Sequence, residues 1–203
     1  MAKNIIKGHA TISPYHASIM LEKSRNMSDE ELVSGCLKKN PLAQKQLYER
    51  HARKMMGVCL RYSNDKDDAE DILQVGFIKV FENIESFKGS GSLEGWVRRI
   101  MVNTALNHYR QSKQSRESLD IEVVDYMVEG DNQVSDKLDM KELLRMIQKL
   151  PPGFRSVFNL FAIEGYSHKE IASMLEISEG TSKSQYARAR AYLQKMIQTE
   201  NAY

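Results

Sequence analysis

Ser167-His-Lys-Glu-Ile-Ala-Ser-Met-Leu-Glu-Ile-Ser-Glu-Gly-Thr-Ser-Lys-Ser-Gln-Tyr-Ala-Arg188 reads as two helices joined by a tight turn. Ser167 with Glu170 three residues later is a capping box, the signature of a helix start. Ile171, Ala172 and Leu175 share one side of the short helix that comes next. Glu176-Ile-Ser178 makes the turn, and Ser182, Tyr186, Ala189, Leu193 and Ile197 recur at helical period as the inward stripe of a longer helix. Such a pair is the helix-turn-helix arrangement, whose second helix enters the major groove of a duplex. On the outer face Ser184, Arg188 and Lys195 stand at i, i+4 and i+11, with Lys183 and Gln185 near the helix start, where base edges are read. Arg and Lys pair with guanine acceptors and Gln with adenine, while other cations neutralise phosphates. A lone basic helix would read as a solvated charged face. Here the capping box, the turn and an acid-free run from Thr181 to Gln198 coincide, which favours DNA.

Outward from this motif, every segment that has a period has the helical one. Leu143, Ile147 and Leu150 line a helix that Pro151-Pro152 end, and Phe154, Val157, Phe158 and Phe161 stripe the next, with Gly165 suited to its C-terminal cap. Further upstream, Ser28-Asp-Glu-Glu31 is a second capping box. Pro41 opens a long helix whose stripe is Leu47, His51, Met55, Val58, Cys59 and Tyr62. The acidic run Asp65 to Asp71 opens another, striped by Leu73, Phe77, Val80, Phe81 and Ile84. A glycine-rich loop, Phe87 to Ser92, precedes a helix over Leu93–Tyr109. With no strand before it and no GxxxxGK spacing, that loop is a helix connection rather than a nucleotide-phosphate cradle. Glu117 to Asp139 holds eight acids against one base, Lys137, and has no periodic stripe, so it reads as a flexible linker. The expectation is an all-α chain: two small helical domains joined by a flexible acidic linker, the second a helix-turn-helix domain. Its boundaries fall at a leader over 1–27, a first domain over 28–112, a linker over 113–135 and the helix-turn-helix domain over 136–203.

Composition narrows the function. At 203 residues, with 41% hydrophobic and 28% charged, the chain is globular rather than fibrous or disordered. No stretch approaches the roughly 18 apolar residues of a spanning helix, and the first 26 residues lack the apolar run of a secretion signal, so a cytoplasmic protein without direct membrane insertion is expected. Cys36 and Cys59 stand far apart, with no CxxC and no His at ligand spacing, so neither a disulfide nor a metal site is expected. His9, His16, His51, His108 and His168 have no paired carboxylate or nucleophile at motif spacing. An enzyme is therefore not expected, nor is a cofactor.

Net charge is only +2, but its distribution is uneven. Trp96 to Arg116 carries Arg98, Arg99, Arg110, Lys113 and Arg116 with no acid, and mixes them with Asn103, Asn107, His108 and Tyr109. Rings beside cations and amides suit single-stranded bases, which stack and expose hydrogen-bonding edges. An autonomous helix-turn-helix regulator would account for residues 136–198 but leave this segment and the acidic helix unexplained.

The order of these elements resembles a known family. Asp68-Ala-Glu-Asp-Ile-Leu-Gln-Val-Gly-Phe-Ile-Lys-Val80, Ser86-Phe-Lys-Gly89, Gly95-Trp-Val-Arg-Arg-Ile-Met-Val-Asn-Thr-Ala105, Leu150-Pro-Pro-Gly-Phe-Arg155, Gly165-Tyr-Ser-His-Lys-Glu-Ile-Ala-Ser-Met-Leu175 and Gly180-Thr-Ser-Lys-Ser184 resemble the sigma-70 factors of bacterial RNA polymerase, in their small extracytoplasmic-function (ECF) group. The resemblance covers roughly residues 30–112 and 136–198. It implies that Asp71 and Gln74 dock on the coiled coil of the polymerase's largest subunit, and that the flap of the second-largest subunit is a further contact. It implies that Phe87, Lys88, Gly89, Ser90, Trp96, Arg99, Asn103, Asn107 and Arg110 handle the minus-10 promoter element, and that Thr181, Lys183, Ser184, Gln185 and Arg188 read the minus-35 element. Core polymerase and promoter DNA are the implied partners, with an anti-sigma factor as a further one. Where many members carry an acid after the Gln, this chain has Val75, and Asn107 stands where others carry Asp.

Overall fold

The computed structural model describes residues 26–116 and 140–200. All regular structure among them is helical. The eight α-helices are α1 (Asp29–Leu37), α2 (Pro41–Tyr62), α3 (Lys66–Glu82), α4 (Leu93–Arg116), α5 (Met140–Lys149), α6 (Pro152–Phe158), α7 (His168–Leu175) and α8 (Glu179–Glu200). A 3-10 turn, Ile84–Ser86, comes after α3, and a π turn, Asn159–Ile163, continues α6. Residues 1–25 of the 1–27 leader, and the acidic stretch over 117–139, lie outside the described residues.

The chain divides into two compact units, Met1–Glu49 and Arg50–Tyr203. In the first, the Ser28 hydroxyl accepts from Glu31 N at 3.2 Å while the Glu31 carboxylate accepts from Ser28 N at 2.9 Å, so both halves of the expected capping box form. Leu32 and Cys36 are the buried positions of α1, one turn apart, and Ala43 and Leu47 are their counterparts at the start of α2. Asn40 caps α2 by accepting from Leu42 N at 2.8 Å.

In the second unit, Met55, Val58, Cys59 and Tyr62 of α2 are buried. From α3 come Ala69, Ile72, Leu73, Gly76, Phe77 and Val80, and from α4 Leu93, Val97, Met101, Val102, Ala105 and Leu106. At Gly76 the side chain of Met101 from α4 lies against the α3 backbone: a Cβ there would lie 2.2 Å from Met101 Sδ. Asp65 starts α3 by accepting from Asp68 N at 2.8 Å. The fourth helix continues to Arg116 rather than ending at Tyr109. No Gly or Pro interrupts 96–116, so nothing in the sequence breaks the helix there. Its last turn thus enters the stretch assigned to the linker.

The C-terminal helices close over a core of Met146, Leu150, Ala189 and Leu193, with Phe154, Phe158, Tyr192, Met196 and Ile197 packed on it. Pro151-Pro152 separate α5 from α6, as their fixed φ and missing N–H groups require. Gly165, at φ +79°, ends the π turn in a conformation that L residues with a Cβ rarely adopt.

Candidate nucleic-acid interface

The helix-turn-helix forms as its sequence prescribes. Ser167 N donates to the Glu170 carboxylate at 2.8 Å and Glu170 N donates to the Ser167 hydroxyl at 3.3 Å. Glu176 makes the turn in the left-handed region (φ 57°, ψ 43°), with Ile177 N returning to Ala172 O at 3.1 Å. The Ser178 hydroxyl then accepts from Thr181 N at 2.9 Å and starts α8. Between the helices, Phe161 stacks on His168 with ring centroids 4.3 Å apart, Tyr186 leans on Phe161 at 4.6 Å, and the buried Ser182 hydroxyl lies 2.9 Å from His168 Nδ1. A stacked ring cluster plus one buried polar contact fixes the angle at which α8 is presented.

On α8, Lys183 and Ser184 are exposed. Lys183 forms an i, i+4 pair with Glu179 at 2.7 Å, an exposed contact that a phosphate can displace at little cost. Ser184 Oγ donates to Thr181 O at 3.0 Å. Thr181, Gln185 and Arg188 are half-buried: the Thr181 hydroxyl is 2.8 Å from that of Ser178, and the Gln185 amide lies about 3.5 Å from the place a Cβ would take on Gly153.

The second surface runs from the Phe87–Ser92 loop along α4. Gly89 (φ +72°) and Gly91 (φ +97°) shape the loop, and a Cβ at either would meet nothing within 4 Å, so the backbone stands open to an incoming group. Lys88, Gly89 and Ser90 are exposed. Phe87 is half-buried, its ring 5.7 Å from that of Trp96. Ser92 caps α4, accepting from Gly95 N at 3.1 Å. Along α4, positions 96, 99, 103, 107 and 110 repeat every three or four residues, so they share a face. Arg99, Asn103 and Asn107 are exposed on it, and Trp96 and Arg110 are half-buried. Arg110 donates to Asn107 Oδ1 at 3.2 Å and also to the Met174 carbonyl of α7.

The third surface is the outer side of α3. Asp71 and Gln74 are exposed there together with Val75 (44% exposed) and Ile78 (55%). Steps of three, one and three put these four on one helix face. They border a groove of about 340 Å³ whose far wall is Thr104, Asn107, His108 and Gln111 of α4. Asn107 therefore lies on the rim between this groove and the α4 face.

Residues 47–115 match the Sigma-70 region 2 family and residues 140–193 match Sigma-70, region 4. The ECF RNA polymerase sigma factor SigM of Mycobacterium tuberculosis is 30% identical over 170 residues, covering 84% of this chain and 85% of its own. The chain belongs to the sigma-70 family, in its ECF group. The RNA polymerase sigma-H factor of Pseudomonas aeruginosa is 29% identical over 181 residues, covering 84% of this sigma factor and 94% of its own length. The sigma factor RpoE solved with the anti-sigma factor NepR from Bartonella quintana aligns at 23% identity and a TM-score of 0.49, covering 76% of this chain and 96% of its own.

As an ECF sigma factor the protein serves promoter recognition and transcription initiation, binds core RNA polymerase and promoter DNA, and is not an enzyme. No helix among the described residues is long and apolar enough to cross a membrane, and no cluster of His, Cys, Asp or Glu among them could hold a metal. Both cysteines are buried free thiols. Burial raises the Cys36 pKa and pushes that of Cys59 up to about 12.

Two groups of residues on this sigma factor escaped the sequence. Val75 and Ile78 extend the polar pair Asp71 and Gln74 into a mixed patch, and the signal was available: apolar residues off the buried stripe of α3. The other group is polar. Glu164 accepts from Arg98 Nε at 2.6 Å and Nη2 at 2.9 Å, and from Arg61 Nη2 at 3.1 Å, with its side chain only 7% exposed. The Glu164 hydrogen bond raises the pKa of Arg98, fixing it as a cation. Three further side chains satisfy carbonyls at the end of α2: Asn159 donates to Arg61 O at 2.7 Å, Gln148 to Leu60 O at 3.0 Å, and the buried Arg155 to Ser63 O. Spacing along one helix reveals none of these, because each partner is 66 or more residues away on another helix or turn.

Proposed function

We propose that this sigma factor uses its three surfaces in separate steps of initiation: α3 docks on the coiled coil of the polymerase's largest subunit, α8 reads the duplex minus-35 element, and the Phe87–Ser92 loop with the outer face of α4 captures the opened minus-10 strand. The domains would act as units over 28–112 and 136–203, tethered by the 113–135 segment, with the flap of the second-largest subunit contacting the C-terminal one. The cytoplasm is the site of action, and an anti-sigma factor is a fitting regulator.

The observation that carries this reading is the open glycine loop at the head of an α4 face bearing Trp96, Arg99, Asn103 and Asn107. Exposed backbone, a ring and amide groups on an outward helix face suit a flexible strand better than a small ligand. Holding an extruded base offsets an unstacking penalty of a few kcal/mol, so binding alone can drive melting. Lys183, Ser184 and Arg188 near the start of α8 suit base edges and phosphates of a duplex.

Sequencing RNA start sites made by core polymerase with and without the protein tests the whole reading. New start sites preceded by a shared pair of elements are expected. Asn103→Ala holoenzyme is expected to initiate poorly on duplex promoters and to recover on templates mismatched open at the minus-10 element. Equal defects on both templates, or none, would remove Asn103 from strand capture.

A further inference from the structure

The region 2 match begins at residue 47, so α1 and the head of α2 lie upstream of both matched segments. They nevertheless form a groove of about 490 Å³. Its floor is where the two helices touch: a Cβ on Gly35 would lie 2.5 Å from Ala43 Cβ. Half-buried Met27 and Leu42 add apolar surface. The acids of its wall, Glu30 and Glu31, stand beside Asp29 in the first turn of α1, whereas the cation Lys38 stands just past the last turn. The groove is therefore graded in charge along α1. A backbone N–H and then the Ser28 hydroxyl hold the Glu30 carboxylate below its usual range, so its charge persists at neutral pH.

Met27 also marks where residues 1–25 reach the described chain, and its N–H donates to Gln46 Oε1 of α2 at 3.2 Å, which fixes the point of entry. The sequence just upstream carries the matching grade. Lys23 and Arg25 come closest to the entry, and Ile19-Met20-Leu21 follow going back along the chain. Across the leader, Lys3, Lys7, Lys23 and Arg25 stand against one acid, Glu22. Laid antiparallel to α1 from Met27, this segment brings its cations to the acidic turn and its apolar trio to Gly35, Leu42 and Ala43. Length permits it: the nine residues of α1 rise about 14 Å, and residues 19–25 extended span up to about 23 Å. We propose that the groove between α1 and α2 is the docking site of the chain's own leader, seated through residues 19–21, with Lys23 and Arg25 against the acidic first turn of α1. This goes beyond the three initiation surfaces, none of which lends the groove a residue. Covering it adds apolar contact to a small unit whose buried apolar positions among the described residues are Leu32, Cys36, Ala43 and Leu47.

The test uses the full chain with a nitroxide on Leu37→Cys, a position 51% exposed on α1 and outside the groove wall, both native cysteines being buried. Paramagnetic attenuation of the leader amides should rise from Arg25 back to Ile19, because the seated segment runs toward the label. A leader that leaves α1 at Met27 without docking gives the opposite order, and that result overturns the proposal. Glu30→Lys should lower the attenuation at residues 19–21 about threefold or more, and Lys23→Glu with Arg25→Glu in the same chain should restore it. Rescue by charge exchange separates docking from a merely structural effect on α1. If Glu30→Lys loses helicity by circular dichroism, Glu30→Gln, which keeps the shape and removes the charge, carries the same comparison. A folded Glu30 variant with the wild-type profile overturns the proposal as well. So does attenuation that appears when nitroxide-bearing chains are mixed with isotope-labelled chains lacking the nitroxide, since the groove then holds the leader of a second copy.

Discussion

Replacing Val75 and Ile78 together by Ala tests whether the mixed patch on α3 is the docking surface. Both side chains are about half exposed in the free chain, 44% and 55%, so they contribute little to its fold. Exposed substitutions of this kind stay within about 0.5 kcal/mol, and Ala is the better helix former, so the variant should fold as well as the wild type. In a complex that covers the patch, the carbons removed beyond Cβ, two from Val and three from Ile, are worth about 0.8 kcal/mol each on full burial. Only the half that is still exposed remains to be buried on docking, which leaves about 2 kcal/mol, or roughly a thirtyfold loss of affinity. Titrating labelled protein with core polymerase and following anisotropy measures it directly. Asp71→Ala with Gln74→Ala, on the same face, should lose a comparable amount. A folded Val75→Ala/Ile78→Ala variant that binds core polymerase within about threefold of wild type would refute the apolar contribution, and if the polar pair were also silent, the whole α3 surface would have to be reassigned.

Gly76→Ala brings a Cβ to within 2.2 Å of Met101 Sδ in a fully buried contact, and overpacking of about 1–3 kcal/mol should outweigh the gain of about 1 kcal/mol in helix propensity, lowering the melting temperature by several degrees. Combined with Met101→Ala it should cost no more than Met101→Ala alone, which a thermal melt of the four proteins checks. Alkaline pH should destabilise the fold, because burial raises the Cys59 pKa to about 12 and that of Tyr62 upward as well. Both acids are neutral in the native chain but ionise in the unfolded one from about pH 8.5 and 10, so stability is fully present below those values and falls as pH rises through them. Denaturant midpoints at pH 7 and 10 measure this. Iodoacetamide at pH 8 should modify Cys59 only after unfolding, since its native thiolate fraction is about a thousandfold below that of a free thiol.

How much the sequence disclosed depends on where the information sits. Ser28 with Glu31 and Ser167 with Glu170 specify their caps over four residues, and both formed. The inward stripe of α8 likewise depends only on helical period. The outward reading of Asp71 and Gln74 was legible because polar residues broke the stripe of α3, yet the same break contained Val75 and Ile78, which apolarity alone would have sent inward. The extension of α4 beyond Tyr109 was missed because its apolar stripe thins there, while a run free of Gly and Pro continues the helix without one.

The π turn marks where local reading stops. Phe154, Val157, Phe158 and Phe161 fit an uninterrupted α-helix, and a helical continuation would keep every later residue on that register. Instead Glu164 N reaches back five residues to Asn159 O at 2.9 Å, and Tyr166 N reaches Leu160 O. One residue is accommodated without a break, which rotates the residues beyond it by about 100° relative to the helix before it. Asn159 is then fully buried with its amide on Arg61 O, and Glu164 is left between Arg61 and Arg98. A π turn is a rare and strained form that isolated sequence does not favour, so its partners must stabilise it. The carbonyls at the end of α2 and the guanidinium groups of Arg61 and Arg98 are those partners. The π turn and its contacts with α2 and α4 therefore stabilise each other, and removing a contact should relax the turn. Hydrogen exchange at the Glu164 amide should accelerate in Asn159→Ala, which loses the bond to Arg61 O. Unchanged protection in a folded Asn159→Ala variant would show that the turn is stable without that partner.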